Sequence, residues 1–224
     1  MAPSIDGRIV PTRWKLPSSV YAEYERTADT FGADAWMVGR ITMAPYAGRA
    51  RIPARRGQPR IPRTDFIATR DAASYAIALD PSGKLTWKTN AIDGEHVIAI
   101  LTEGVSDDYL AFLQSRRVSY LFGGRSEVNL KMVLGKLTSA FGIRKLLVEG
   151  GGKINGSFLA ANLVDEVSVL VVPIADGGMG TPSLFDAAEG RGPTRHLRLV
   201  AFGKRKGDLV WLRYKPVSAA ASAR

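Results

Sequence analysis

The sequence predicts an α/β fold in three layers: a mostly parallel central sheet with helices on both faces and an antiparallel hairpin at its C-terminal edge. Apolar, β-branched segments of strand length alternate with segments of helical periodicity over most of the 224 residues. This alternation is typical of parallel sheets with crossover helices. Near the end of the chain, segments 197–202 and 209–214 are joined by a glycine-bounded turn and not by a helix. They therefore predict the antiparallel hairpin.

The predicted elements follow from periodicity and from the residues that begin and end them. Apolar residues recur every three or four positions from 130 to 141 and Gly142 follows, which predicts a helix that ends there. Ser106 precedes an acidic turn, as expected for a capped helix start. Helices are expected at 18–31, 106–117, 130–141 and 154–161, with a further start after Gly39, and strands at 35–38, 65–68, 75–79, 84–87, 96–101, 118–122, 145–148 and 166–172.

Length and composition predict one domain over residues 1–216 and a disordered tail at 217–224. No apolar run approaches the roughly 20 residues that a membrane helix needs, so we expect no membrane partner. Cysteine is absent, which excludes disulfides and cysteine zinc sites and makes a cytoplasmic location the default. His96 and His196 lie far apart without a cluster of other ligands, so no metal site is predicted.

A basic segment carries much of the formal net charge of +10: residues 49–63 contain six arginines and no acidic residue. Three interpretations are open. In order of preference, the segment is a solvated, mobile loop, a flap that attracts phosphorylated small molecules, or a nucleic-acid-binding element. The third ranks last because the segment is rich in proline and has no aromatic residues for base stacking. We therefore expect no nucleic-acid partner.

The most informative stretch runs from Lys145 to Gly156. An apolar strand is followed by Glu149, then by three consecutive glycines and a predicted helix. Such a junction can bind phosphate, because glycines allow close approach of the backbone and the first N–H groups of a helix lack partners within it. A simple turn usually needs one glycine, so ligand contact is favoured over a purely structural role.

Other predicted strands end in similar junctions. Gly39-Arg40-Ile41-Thr42 follows one, Thr69-Arg70 follows the segment 65–68, and Gly123-Gly124 follows another. In an open α/β sheet, ligands bind beyond the carboxyl ends of the strands, so these junctions are expected to converge at one edge. None of them is a G-x-G-x-x-G motif, so the ordinary dinucleotide fingerprint is absent.

Four motifs resemble the reductase domain of riboflavin biosynthesis, which has a dihydrofolate-reductase-like fold. They are residues 4–9 (SIDGRI), 33–42 (ADAWMVGRIT), 147–152 (LVEGGG) and 163–167 (LVDEV). The resemblance extends from about Ser4 to Tyr214. The deaminase that is fused to this domain in many bacteria has no counterpart in the chain, so only the reductase step is implied.

The resemblance implies NADPH as the hydride donor. The turn that begins at Gly39 matches the family's first pyrophosphate contact, and the glycine stretch matches the second. Thr69 and Arg70 occupy the place where the family tends to hold the adenosine 2′-phosphate. The full set of implied cofactor contacts is Gly39, Arg40, Thr42, Thr69, Arg70, Gly123, Gly124, Gly150, Gly151, Gly152, Lys153 and Ile154.

The resemblance also implies a substrate side of the site. Glu149 matches the carboxylate beside the substrate and nicotinamide, and Ser4 and Asp6 match other substrate contacts. The family reduces the ribosyl group of 5-amino-6-(5-phosphoribosylamino)uracil, or of the related diaminopyrimidine, to a ribityl chain. Glu149 or Asp6 could donate the proton to the departing ring oxygen, and we favour Glu149.

Two alternatives to this activity remain open. One is a dihydrofolate-type or other imine reductase, because a fold does not fix a substrate and residues 43–48 lack the carboxylate that the family often has there. The other is a non-catalytic nucleotide-binding module. The family tends to dimerise, so we expect a homodimer with a small, possibly phosphorylated substrate.

Overall fold

The computed structural model describes residues 1–186 and 194–217. The chain divides into two compact units, one made of Met1–Gly32 with Glu149–Arg224 and the other of Ala33–Val148. We call them the outer-segment unit and the central-segment unit. The single domain over 1–216 stays a prediction, and the expected disordered tail, from 218 onward, lies outside the described residues.

The central-segment unit is built on a six-stranded sheet in the order β3-β4-β2-β1-β6, with β5 also paired to β4. Strands β1, β2, β4 and β5 run parallel, whereas the short β3 is antiparallel to β4. The mostly parallel sheet is therefore confirmed. The strands are β1 (Ala35–Gly39), β2 (Tyr75–Leu79), β3 (Ala91–Ile92), β4 (Glu95–Thr102), β5 (Ser119–Gly124) and β6 (Leu146–Gly150).

Helices cover both faces of this sheet, as predicted. They are α2 (Arg40–Met43), α3 (Asp107–Ser115) and α4 (Leu130–Phe141). Leu101 of β4 shares a buried cluster with Leu110 of α3. The adjacent Ile100 lies at Gly123 beside Val133 of α4, on the opposite face, since successive strand residues point to opposite sides. The capping predictions hold: the Ser106 side chain accepts from an α3 N–H, and Gly142 ends α4 with φ 71°.

The outer-segment unit contains a second sheet, which is antiparallel and has the order β7-β9-β8. The C-terminal hairpin is confirmed, but its predicted place is wrong, because it pairs with β7 in this separate sheet and not with the edge of the parallel one. Residues 1–4 run beside β7, where Met1 and Pro3 carbonyls accept from Leu170 and Val172. The elements are α1 (Ser18–Asp29), α5 (Gly152–Ala160), β7 (Val167–Val171), β8 (Leu197–Lys204), β9 (Val210–Pro216) and a 3-10 turn (Pro11–Arg13).

Two predicted strands are not strands. Segment 65–68 makes one isolated bridge, from Phe66 to Tyr120, because the Ala68 N–H bonds the Ser119 hydroxyl instead of a neighbouring strand. In segment 84–87, two N–H groups bond the Asp80 carboxylate. Both segments therefore belong to loops in which side chains accept some of the backbone hydrogen bonds. Within the described residues, no helix has the length and apolar character to cross a membrane.

Candidate functional site

The glycine stretch has the predicted strand–glycine–helix geometry. Strand β6 ends at Gly150 and α5 begins at Gly152, with Gly151 as the N-cap. Gly150 has φ 141° and Gly151 has φ 32°, backbone conformations that residues with side chains rarely adopt. Glu149 is half-buried at the end of β6 and interacts electrostatically with the amino group of Met1, whose pKa is lowered by burial. Lys153 is exposed and Ile154 half-buried in the first turn of α5.

The glycines at 151 and 152 are explained by different structural requirements. A Cβ on Gly152 would lie 2.2 Å from the Ser183 carbonyl oxygen, and the Gly152 carbonyl accepts from the Asp186 N–H at 3.0 Å. Gly152 is therefore required by the packing of segment 183–186 against α5. By contrast, a Cβ on Gly151 would meet no described atom within 4 Å. Of the three glycines, Gly151 leaves the open space that a ligand could use.

The turn after β1 is at the carboxyl edge of the parallel sheet. Gly39 ends the strand in register with Leu79, and α2 follows at once. Arg40 and Thr42 are exposed, and the Arg40 side chain makes no hydrogen bond or ion pair with any residue that the structure describes. A guanidinium and a hydroxyl in this position can bind phosphate oxygens without breaking an existing contact.

Thr69 and Arg70 do not lie at this edge, so their expected placement at the carboxyl end of a strand is wrong, while their contact with the cofactor stays a prediction. They precede β2, and the Arg70 carbonyl accepts from the hydroxyl of Tyr75, the first residue of that strand. Arg70 Nη1 donates to the Ala140 carbonyl at the end of α4. The five-residue strand β2 separates these residues from the carboxyl edge by about 13 Å. The error arose because segment 65–68 was taken for a strand.

The turn that follows β2 at the carboxyl edge was missed as a candidate. Ser82 and Lys84 are exposed there, while the buried Asp80 holds the turn by accepting from the N–H groups of Lys84 and Leu85 at 2.7 and 2.8 Å. The available signal was the sequence Asp-Pro-Ser-Gly directly after an apolar strand, which is typical of a turn at a strand end.

Packing accounts for Gly123 and Gly124, and their contact with the cofactor stays a prediction. Gly123 is buried, and a Cβ on it would lie 2.9 Å from a Val128 methyl group. Gly124 has φ 156°, and a Cβ would lie 2.1 Å from the Glu127 carbonyl oxygen. Neither position provides open space for a ligand on the side where the missing side chain would be.

Ser4 and Asp6 form one hydrogen-bonded group in the outer-segment unit. The Ser4 hydroxyl donates to Asp6 Oδ1 at 2.7 Å and accepts from the Arg8 N–H at 2.9 Å. Asp6 also accepts from the N–H groups of Asp176 and Gly177, each at 2.9 Å. The Asp176 N–H, the Ser4 hydroxyl and the Gly177 N–H hold the pKa of the Asp6 carboxyl well below its usual range.

This geometry bears on the roles expected of both residues, which stay predictions. Ser4 is 1% exposed, so its hydroxyl orients Asp6 and does not reach a ligand directly. Asp6 stays ionised at neutral pH, because three donors stabilise its charged form, and it therefore cannot donate a proton there. Its proposed contact with substrate is unaffected, since Asp6 is exposed.

Replacing Asp6 with Asn should lower the melting temperature, and the difference from wild type should shrink in acid. The folded-state pKa of Asp6 lies below its unfolded value of about 3.9. Its contribution is therefore complete above the unfolded pKa and is lost as pH falls towards the folded pKa. Thermal unfolding at about pH 7 and about pH 3 measures this, with Asp29→Asn as a control. A difference in melting temperature between wild type and Asp6→Asn that is the same at both pH values would contradict this expectation.

The described residues contain no group of three or more histidine, cysteine, aspartate and glutamate residues that could hold a metal ion. The mostly parallel sheet with helices on both faces defines an α/β protein. Beyond its fold, the chain belongs to the RibD C-terminal domain family, whose model matches residues 1–210.

Solved structures of low sequence identity share this fold. A pyrimidine reductase-like protein from Corynebacterium diphtheriae superposes with a TM-score of 0.68 at 19% identity, over 97% of this chain and 90% of that chain. RibD from Acinetobacter baumannii gives a TM-score of 0.68 at 18% identity, over 97% of this chain and 56% of that chain.

Curated relatives match about a third of the chain. A 2,5-diamino-6-ribosylamino-4(3H)-pyrimidinone 5′-phosphate reductase from Methanothermobacter thermautotrophicus is 37% identical over 71 residues, 32% of each protein. Proteins of the same name from Archaeoglobus fulgidus and Aquifex aeolicus are 40% and 42% identical over 63 and 72 residues. In these relatives too, the aligned part is 28% and 32% of the relative's length.

Proposed function

We propose that the protein is an NADPH-dependent reductase that converts the ribosyl group of a phosphoribosylaminopyrimidine to a ribityl chain in riboflavin biosynthesis. The observation that carries this proposal is membership of the RibD C-terminal domain family over residues 1–210. The names of the curated relatives support a reductase of a pyrimidinone phosphate, which requires a hydride donor.

The residues present fit a nicotinamide cofactor. Gly151 combines a positive φ with open space, so its backbone can approach a phosphate closely. Arg40 and Thr42 are exposed at the carboxyl end of β1, and Lys153 is exposed in the first turn of α5. We assign Gly151 and Lys153 of the outer-segment unit to the pyrophosphate of NADPH. Arg40 and Thr42 of the central-segment unit are assigned separately, as residues that can bind phosphate oxygens. Thr69, Arg70, Gly123 and Gly124 are left out of this assignment, because their positions are explained by other contacts.

Glu149 is assigned to the chemistry. NADPH, when bound, supplies the hydride. The protein must orient the opened sugar, exclude water and provide a proton near the departing ring oxygen. Glu149 can hold that proton, because it is half-buried at the end of a strand and lies two residues before Gly151, the glycine with open space. Asp6 is assigned to substrate binding through its fixed negative charge, and not to proton transfer.

The substrate is one of two closely related pyrimidines. The curated relatives are named for the diaminopyrimidinone. One protein of similar structure, from Thermotoga maritima, is named as a reductase of the uracil derivative. The two compounds differ in an amino group and an oxygen on the ring, whereas the ribosyl phosphate that reacts is common to both. We propose the diaminopyrimidinone as the preferred substrate, since the relatives with higher identity carry that name.

The test is an assay of both pyrimidines with NADPH, in which the loss of NADPH absorbance measures turnover. We expect the diaminopyrimidinone to be reduced with the higher kcat/KM and dihydrofolate to be inert. Reduction of dihydrofolate in place of both pyrimidines would indicate the alternative activity on the same fold. Binding of NADPH, measured by quenching of tryptophan fluorescence, without turnover of any of the three would indicate a non-catalytic module and contradict the proposal.

A homodimer is also proposed, as in the family. Strand β8 is at the edge of the antiparallel sheet and carries the exposed apolar side chains Leu199, Val200 and Phe202, of which Phe202 is 76% exposed. An edge strand with exposed apolar residues can pair with another copy. Sedimentation of the purified protein at several concentrations measures the oligomeric state.

A further inference from the structure

The arginine-rich segment, residues 49–63, is a packed part of the central-segment unit. Ala50, Ile52 and Ile61 pack against the buried cluster on the α3 side of the sheet. Arg49 and Arg51 alternate with the packed residues and are exposed. Most residues of the segment are exposed, as expected for a solvated loop, but these three apolar side chains hold it against the sheet.

Two carboxylates at the start of α3 hold the middle of the segment. Asp108 accepts from the Arg55 N–H at 2.9 Å, and Asp107 accepts from the Ile61 N–H at 3.3 Å. Asp107 also accepts from Arg63 Nη1 at 2.6 Å, and this hydrogen bond lowers the pKa of the Asp107 carboxyl. Arg63 further donates to the carbonyls of residues 103 and 105. Arg63 is therefore an anchor for the turn formed by residues 55–61.

This anchored turn lies at the carboxyl edge of the parallel sheet. Helix α3 begins shortly after β4 ends at Thr102, whose N–H donates to the Pro81 carbonyl at 2.9 Å in the turn after β2. Strand β2 in turn is paired with β1, so that Leu79 is in register with Gly39. The edge that carries Arg40 and Thr42 is thus the edge at which residues 55–61 are held.

Two arginines of the turn are free to bind a ligand. Arg56 and Arg60 are exposed and make no hydrogen bond or ion pair within the described parts of the chain. The backbone between them is shaped by bonds from Gln58 N–H to the Arg55 carbonyl and from Arg55 Nη2 to the Pro59 carbonyl. The nearby carboxylates of Asp107 and Asp108 already accept hydrogen bonds. A pinned backbone lowers the entropy lost when a ligand binds.

We propose that Arg56 and Arg60 form a subsite for a phosphate monoester of one of the two reactants. Guanidinium groups bind the phosphate dianion through paired, charge-assisted hydrogen bonds. The phosphate is either the 2′-phosphate of NADPH or the 5′-phosphate of the substrate. In the first case, Arg56 and Arg60 take the role that the sequence analysis assigns to Arg70. The choice of these two phosphates rests on the proposed function. Binding of a phosphate by the two arginines, however, can be measured without any turnover.

The experiment titrates the protein with 2′-AMP and with ribose 5-phosphate, using adenosine and ribose as unphosphorylated controls. The variant is Arg56→Ala/Arg60→Ala. The matched control is Arg49→Ala/Arg51→Ala, which removes the same charge from exposed arginines of the same segment. We expect the wild type to bind one of the two phosphates, and the first variant to weaken that binding by about tenfold or more while the control changes it by less than about threefold.

The two probes distinguish the sources. Loss of 2′-AMP binding predicts a matching loss of NADPH affinity with NADH affinity unchanged. Loss of ribose 5-phosphate binding predicts a raised KM for the pyrimidine substrate with NADPH affinity unchanged. Arg56→Lys/Arg60→Lys should restore only part of the affinity, because lysine cannot bind phosphate in a bidentate manner.

Three outcomes would overturn the inference: no binding of either phosphate by the wild type, equal weakening by both double variants, or wild-type affinity in Arg56→Ala/Arg60→Ala. Salt-dependent binding of duplex DNA that this variant abolishes, with both phosphate affinities unchanged, would also overturn it and assign the arginines to nucleic acid. Failure of the proposed function looks different, since an inactive protein could still bind the two probes.

Discussion

Replacing Glu149 with Gln is expected to lower turnover by about tenfold or more and to leave NADPH affinity nearly unchanged. Glutamine preserves the size and hydrogen-bonding capacity of the side chain, but it cannot hold and release a proton as a carboxyl group does. The neighbouring glycine backbone, which we assign to the cofactor, is untouched by this change. Single-turnover kinetics with the pyrimidine substrate measure the effect on chemistry, and tryptophan fluorescence measures NADPH binding.

Glu127→Gln is the matched control, because Glu127 is exposed in the turn after β5 and the same atoms are exchanged. It should retain wild-type turnover. An unchanged rate in Glu149→Gln would remove Glu149 from the chemistry. A parallel loss of turnover and NADPH affinity would make it a cofactor contact instead, which also contradicts the proposed division of roles.

Replacing Gly156 with Ala should cause a large loss of stability from the addition of a single methyl group. A Cβ at this position would lie 2.0 Å from the Asp186 carbonyl oxygen and 2.8 Å from its carbon. These are backbone atoms, so no side-chain rotation relieves the clash. Overpacking of this kind costs about 1–3 kcal/mol, which corresponds to a fall in Tm of about 2–4 °C per kcal/mol for a chain of this size.

Gly135→Ala is the control for the intrinsic effect of the substitution. Gly135 is inside α4, and a Cβ there would meet no described atom within 4 Å. It should therefore stabilise the protein by up to about 1 kcal/mol, because alanine loses less backbone entropy in a helix. Thermal unfolding of both variants measures the two effects. Equal Tm values would show that segment 183–186 does not pack against α5 as described.

The elements that sequence predicted well are those whose signal is local. The helix from 130 to 141 has apolar residues at every turn and a glycine that ends it in the left-handed conformation. Strand β2 occupies the predicted residues 75–79. In both segments, periodicity, propensity and the bounding residues favour the same structure, and the tertiary contacts favour it as well.

The parts that failed depend on contacts distant in sequence. The close approach of Asp186 to α5 gives Gly152 a packing role that no local pattern contains. Arg70 was assigned to the wrong edge because a short apolar segment does not reveal that its N–H groups bond side chains. A glycine pair after a strand likewise carries the same sequence signal whether it faces a ligand or, as at Gly123, a packed valine.

The division of the chain into an interrupted unit and a continuous one has a consequence for synthesis. Strands β1 to β5 of the central-segment unit pair with partners encoded within residues 33–148. About two thirds of the 224 residues have therefore been made when this unit is complete. The extended residues 1–4, by contrast, find their partners only at Leu170 and Val172. Chains fold as they emerge from the ribosome, so residues 1–32 can pack into their unit only after residues 149 onward have been made.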